Sequence, residues 1–372
     1  MTELRAISRR DFVLSAPGAA AIALLGASIA VGNDQQKAVQ QKAVGRAIDP
    51  MQLVAPELRA PLKGMPAFKL PKEISPAQLA SFRKMPFSTL RRFPTPSVAE
   101  RMVPGRQGAP DVKVFVVNAK PGEHRPAVLH THGGGFLLGT AANDVPRLQL
   151  MAQALDCVIV TVEYRLAPET PFPGSLEDNY AALKWLHAQA ESLGVDTARI
   201  ALAGESAGGG HAAILAIAAR DRGEVPVLFQ SLVYPMLDDR TGSSRQPPAH
   251  IGTFIWTAEL NRHGWKAFLG TEPGGSRVPA GAVPARLDNL AGLPPAWIGT
   301  GSIDLFVDED IEYARRLVDA GVRTDLVVVA GAYHGFDGIV PNASVSKSFT
   351  LSRYNALARA FGVKELDSAP AV

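Results

Sequence analysis

Residues Arg199-Ile200-Ala201-Leu202-Ala203-Gly204-Glu205-Ser206-Ala207-Gly208-Gly209-Gly210 decide how this chain folds. An apolar run enters a Gly-x-Ser-x-Gly, and a small-residue helical pattern follows from Ala212 to Ile217. Strand, sharp turn and helix in that order form the layout of a nucleophile elbow. A serine hydroxyl attacks an acyl carbon only when it is exposed, beside a base and close to backbone N–H donors. Gly204 and Gly208, two residues either side of Ser206, give the crowded backbone room because they lack a Cβ. The following helix points its N-terminal partial positive charge at the reacting centre. A bare Gly-x-Ser-x-Gly is more often a plain turn, so the flanks and the rest of the constellation carry the reading.

Upstream stands Ala127-Val128-Leu129-His130-Thr131-His132-Gly133-Gly134-Gly135-Phe136. Residues 127–129 are predicted to be a strand, with the glycines opening the loop after it. Three glycines let N–H groups turn toward a ligand at little steric cost. Such donors stabilise the negative oxygen of a tetrahedral intermediate in acyl transfer. Gly134 and Gly135, with Gly133 less firmly, are expected to join the N–H of Ala207 in an oxyanion hole. The alternatives are a flexible turn or a phosphate-cradling loop, and the latter would want a Gly-Lys-Ser/Thr ending that is absent.

Three motifs in order carry a resemblance: His132-Gly133-Gly134-Gly135-Phe136, Tyr164-Arg165-Leu166-Ala167-Pro168-Glu169 and Gly204-Glu205-Ser206-Ala207-Gly208. Together they resemble the hormone-sensitive-lipase branch of the α/β-hydrolases, mostly bacterial carboxylesterases. The resemblance spans roughly Pro110 to Val363. It implies an α/β-hydrolase fold: a mostly parallel, doubly wound sheet with helices on both faces and a helical cap. One departure is visible. The branch commonly has Asp or Thr before the nucleophile, and this chain has Glu205. A longer carboxylate there is expected to alter pH dependence or to contact a neighbouring loop.

The fold places acid and then base after the nucleophile in the sequence. Of eight histidines, His211, His250, His263 and His334 lie downstream of Ser206. His211 falls one turn into the elbow helix and reads as a packing or surface residue. His250 follows a proline-rich loop, and His263 sits in a Trp/Phe-rich helical pattern. His334 instead follows a strong strand signal at residues 325–329 and a short loop. Its setting, Tyr333-His334-Gly335-Phe336, resembles the branch's catalytic histidine motif. The acid belongs at the end of the preceding strand, residues 295–301. Asp304 matches the branch's acid position, with Asp308 as its competitor. The cluster Asp308, Glu309 and Asp310 reads as helix-dipole complement before a helix at 311–320. No histidine or regular loop spacing makes it a metal site.

After a buried-strand run at 158–162, the Tyr164–Glu169 motif is by resemblance a structural signature beside the site. Arg165 is expected to pair with Glu177 or Asp178, which open a helical stretch at 180–190. Glu163 and Glu169 are available as general bases only if His334 is not.

At the front, Ser8-Arg9-Arg10-Asp11-Phe12-Val13-Leu14 precedes a low-charge run to Gly32. This reads as a twin-arginine export signal over residues 1–30, with cleavage after Ala30. An uncleaved membrane tether is the alternative; the run holds Pro17 and glycines and is only moderately apolar. Periplasmic or secreted location follows, and a single cysteine, Cys157, precludes an internal disulfide. Residues 31–110 read as a linker and, by the same resemblance, an N-terminal cap segment, with helical stretches at 76–84 and 98–102. Residues 111–372 read as the catalytic domain, and the resemblance implies a cap insertion at about 239–270, after a sixth strand at 228–234. Phe254, Trp256, Trp265 and Phe268 fall there, as cap core or acyl-pocket lining.

A net charge of +3 over 372 residues leaves no basic stripe to suggest nucleic acid. No cofactor, no metal and no nucleic-acid partner is expected, only a small-molecule ester. The mechanism implied is a serine carboxylesterase built on Ser206, Asp304 and His334, and the resemblance implies short- to medium-chain esters. Amidase, peptidase or lactonase action would use the same triad, a lipase would act at interfaces, and a non-catalytic binding protein could share the scaffold.

Overall fold

The computed structural model describes residues 48–63, 74–84 and 90–371. The chain divides into two units, 1–49 and 50–372, and the architecture below is that of the second. The proposed signal and its cleavage point lie outside the described residues. Among the described residues, no helix is long and apolar enough to cross a membrane.

Eight strands form one sheet: β1 Val98–Val103, β2 Val112–Val117, β3 Arg125–Thr131, β4 Val158–Glu163, β5 Val195–Glu205, β6 Phe229–Val233, β7 Ala296–Gly301 and β8 Thr324–Val329. Their spatial order is β1-β2-β4-β3-β5-β6-β7-β8. β2 runs antiparallel to both its neighbours, and every pairing from β4 onward is parallel. Parallel strands buried on both faces need apolar residues at every position. β5 meets that demand: Ile200 and Leu202 face one layer, while Ala201 and Ala203 face the other. The first layer holds the helices Gly174–Ala188 and Ala207–Arg222; the second holds Ala141–Ala154 and Ser344–Phe361. The α/β-hydrolase fold read from the sequence is therefore observed.

Three local expectations are corrected. Residues 98–102 are not helical but lie in β1, antiparallel to β2. As a sheet edge with exposed Glu100, Arg101 and Met102, this strand lacks the strong apolar alternation by which strands are recognised. The helix expected at 180–190 begins at Gly174, and Pro173, just before it, supplies the chain turn. The helix expected from 311 begins at Val307, so Asp308, Glu309 and Asp310 lie inside its first turn. Glu309 and Asp310 are buried there rather than solvated. The expected helix at 76–84 appears as Pro76–Phe82, with Ser75 and Gln78 forming a capping box.

Within residues 239–270 the chain forms one helix, Ala258–Leu269, capped by the Thr257 side chain. Trp265 and Phe268 do not form a separate cap core. Both are buried in the first layer, against Phe136.

Candidate active site

In a parallel sheet, ligands gather outside the carboxyl ends of the strands, where the chain order changes direction. β3 and β5 are neighbours, with Thr131 paired to Gly204, so their C-terminal loops emerge side by side. One carries His132–Gly135, the other Ser206. β7 ends at Gly301, three residues before Asp304, and β8 ends at Val329, five before His334.

Ser206 has φ 59° and ψ −123°, between the end of β5 and the helix starting at Ala207. A non-glycine residue holds such a conformation only where its surroundings enforce it. The Ser206 N–H donates to Val233 O at 2.9 Å, and Met236 N–H donates to Ser206 O at 3.0 Å. The flanking glycines are required by contact. A Cβ on Gly204 would stand 2.3 Å from Gly208 O, and one on Gly208 would stand 2.1 Å from Thr131 O.

His334 Nε2 lies 2.9 Å from Ser206 Oγ, and His334 Nδ1 lies 2.8 Å from Asp304 Oδ2. A carboxylate only accepts, so Nδ1 carries the proton and Nε2 is free to accept from the serine hydroxyl. Asp304 is fully buried, and its second oxygen accepts from Phe306 N–H at 3.0 Å. Asp308 is turned away to solvent and pairs with Arg245 at 3.4 Å. His211 is buried among Phe136, Tyr164 and Phe268, and burial pushes its pKa down to about 3. His250 and His263 are half-buried, away from the serine's hydrogen-bond partners.

Gly134 and Gly135 take φ values of 126° and 60°. A Cβ on Gly135 would stand 2.1 Å from the Trp256 ring. Among the described residues, the N–H groups of Gly133, Gly134, Gly135 and Ala207 donate to no protein acceptor. These glycines border the same cleft as Ser206, about 370 Å³ in volume. The loop is braced by His132, whose Nδ1–H donates to Gly133 O at 2.8 Å and whose ring stacks on Tyr164 at 4.1 Å. Burial lowers the His132 pKa to about 4, so the imidazole stays neutral beside the glycines.

A charge network absent from the sequence reading lies beside Ser206. Glu205 Oε2 accepts from His130 Nε2 at 2.7 Å, and Glu205 Oε1 meets Arg353 Nη1 at 2.7 Å. Burial alone would raise the Glu205 pKa; Arg353 and His130 overcome it and hold the carboxyl well below its usual range. The residue that departs from the branch thus ties β5 to β3 and to the Ser344–Phe361 helix. Asp144, in the first turn of Ala141–Ala154, adds a second carboxyl, whose pKa burial raises to about 6. One donor atom each from His130, Asp144 and Glu205 lies within 4.8 Å of the others. Such a set could ligate a metal, but here Arg353 supplies the positive charge that Glu205 requires. Neither Glu205's partners nor Asp144 had a local signal, since each contact spans elements distant in sequence.

The remaining expectations find definite places. Arg165 pairs with buried Asp178 through its N–H, Nε and Nη2, while Glu177 pairs with Arg222. Glu169 holds Arg83 through both oxygens at 2.8 Å, and Glu163 accepts from Ala141 N–H. Both glutamates are therefore committed to structure. Glu309 accepts from Leu237 N–H at 2.7 Å, and burial beside Asp238 raises its pKa well above normal. Trp256 walls the cleft next to Gly135, whereas Phe254 packs near Tyr333.

Sheet order, elbow and facing glycine loop define an α/β-hydrolase. Residues 128–338, more than half of the chain, match the family described as alpha/beta hydrolase fold, and the chain belongs to it, in the hormone-sensitive-lipase-like branch. Esterase LipI of Mycobacterium tuberculosis is 38% identical over 59% of this chain and 69% of its own. Carboxylesterase NlhH of the same species is 34% identical over 71% of this chain and 82% of its own. Among solved structures, a bacterial heroin esterase superposes with TM-score 0.75 at 37% identity, covering 84% of this chain and 99% of its own.

Proposed function

We propose that this protein is a serine carboxylesterase that hydrolyses short- to medium-chain carboxylic esters through an acyl-enzyme on Ser206. The class, carboxylic ester hydrolase, is supported by the family and by the esterase relatives. The observation that carries the mechanism is the continuous relay from Asp304 through His334 to Ser206, with both hydrogen bonds under 3.0 Å. In this reading Ser206 Oγ attacks the ester carbonyl carbon and its proton passes to His334 Nε2. Asp304 holds the imidazole tautomer and stabilises the imidazolium. The carbonyl oxygen becomes an oxyanion facing the free N–H groups of Gly134, Gly135 and Ala207, with Gly133 at the margin. Collapse breaks the C–O bond to the alcohol, which leaves with the proton from His334. Water then repeats the cycle: it gives its proton to His334, attacks the acyl carbon, and releases the carboxylic acid and Ser206.

The test is hydrolysis of p-nitrophenyl esters from acetate to palmitate by the protein and its Ser206→Ala form. Turnover concentrated at short chains and lost in the variant, with the fold retained by circular dichroism, is the expected result. Equal turnover by both forms would overturn the assignment.

A further inference from the structure

The last residues of the structure lie against the cleft. Gly362, at φ 67°, ends the Ser344–Phe361 helix and turns the chain back on itself. The returning segment is fastened to that same helix. Asn355 Nδ2–H donates to Leu366 O at 3.1 Å, and Asn355 Oδ1 accepts from Leu366 N–H at 2.7 Å. Val363 and Leu366 pack on the second core layer, and Arg359 pairs with Glu365 at 3.1 Å. Beyond this clamp, Ala369 and Pro370 line the same cleft as Ser206 and His334, beside Thr350 and Tyr354. Both are small and apolar, and proline presents no unpaired N–H donor to an ester chain. This segment reaches the cleft by a fold-back held by the Asn355 hydrogen bonds, the packing of Val363 and Leu366 and the Arg359–Glu365 pair.

We propose that Ala369 and Pro370 form the end wall of the substrate cleft and set the length of the ester group that enters it. The proposal rests on Ser206 being the nucleophile of that cleft. A wall acts on specificity through the methylenes it admits or rejects, each worth about tenfold or more in kcat/KM when the pocket is well formed. It leaves the relay itself unchanged.

Two variants move the wall in opposite directions. Truncation after Leu366 keeps the asparagine clamp and removes the wall; Ala369→Trp thickens it. Each is assayed with acyl-varied p-nitrophenyl esters and with alkyl acetates of increasing alcohol length. Thermal melting checks the fold. The expected result is that, in one of the two series, truncation raises kcat/KM for the longer members about tenfold relative to the shortest. Ala369→Trp should lower it in that same series, while the shortest ester changes little. Unchanged profiles, or one common factor across all esters, would overturn the proposal. Calorimetric titration with ethyl hexanoate in the Ser206→Ala background reads the wall without turnover. There, tighter binding on truncation and weaker binding with Ala369→Trp supports the wall even if Ser206 proves not to be the nucleophile; equal binding by all forms rejects it.

Discussion

In the proposed mechanism His334 serves as a base in one tautomer only, the one that its hydrogen bond to Asp304 fixes. Replacing Asp304 by Asn keeps the shape but offers a donor as well as an acceptor, so the imidazole can turn its bare nitrogen away from Ser206. Asp304→Asn is expected to lower kcat on p-nitrophenyl acetate on the order of 10³- to 10⁴-fold, with KM little changed. Steady-state kinetics beside a thermal melt would check it; a loss confined to KM would count against the relay. At this scale the sequence was highly legible. Ser206, Asp304 and His334 each stand just past a strand, and each requires a turn that leaves marks in nearby residues. Glycines at 204 and 208 are forced by contacts of 2.3 and 2.1 Å, so the elbow could be recognised from its own neighbours. Glu205 was noticed as a departure, but its partners His130 and Arg353 were not, because neither stands near it in the chain.

Glu205 and Arg353 matter between elements. The pair joins the end of β5 to the Ser344–Phe361 helix, and Arg353 also donates to Ser231 Oγ on β6 at 3.1 Å. Breaking a buried pair from one side strands the remaining charge, at about 3–5 kcal/mol. The Glu205 side chain is 25% exposed, and His130 still donates to it, so the lower end applies. Arg353→Met is expected to lower unfolding free energy by about 2–3 kcal/mol, read from the urea midpoint at constant slope. Adding Glu205→Gln should recover much of that loss, since the stranded charge disappears. Strictly additive losses would mean the two side chains are not coupled. Element boundaries were read well where a strand was buried on both faces, as in β4 and β7. They were misread at β1, an edge strand whose exposed Glu100, Arg101 and Met102 carry no clear period. The helix carrying Asp308, Glu309 and Asp310 starts earlier than read, and Glu309 in its first turn accepts from the N–H groups of Leu237 and Asp238, contacts distant in sequence.

Over the whole molecule, Asp144 links the cleft to stability. Its carboxyl faces His130 of β3, Glu205 of β5, Arg147 of its own helix and Arg353 of the Ser344–Phe361 helix, and burial raises its pKa from 3.8 to about 6. A raised carboxyl means the folded chain holds more protons than the unfolded chain between those values. Its contribution is therefore full below about pH 4 and is lost as pH rises through about 6. Asp144→Asn keeps the neutral form at every pH. The melting temperature of the variant minus that of the protein should thus climb between about pH 4 and 7 and level off above it. A difference that does not vary with pH would show that Asp144 titrates as an exposed carboxyl. By itself the sequence determined the fold class, the glycine loops and the chain positions of Ser206, Asp304 and His334, which the fold brings into hydrogen-bonding contact. Those features rest on sterics and periodicity that act within a few residues. Only the tertiary structure decided that Glu205 meets His130 and Arg353, that Trp265 and Phe268 join the main core, and that Ala369 and Pro370 border the cleft. Those contacts depend on which strands become neighbours and on where the chain returns, and burial of the whole sheet settles that, not any single stretch of residues.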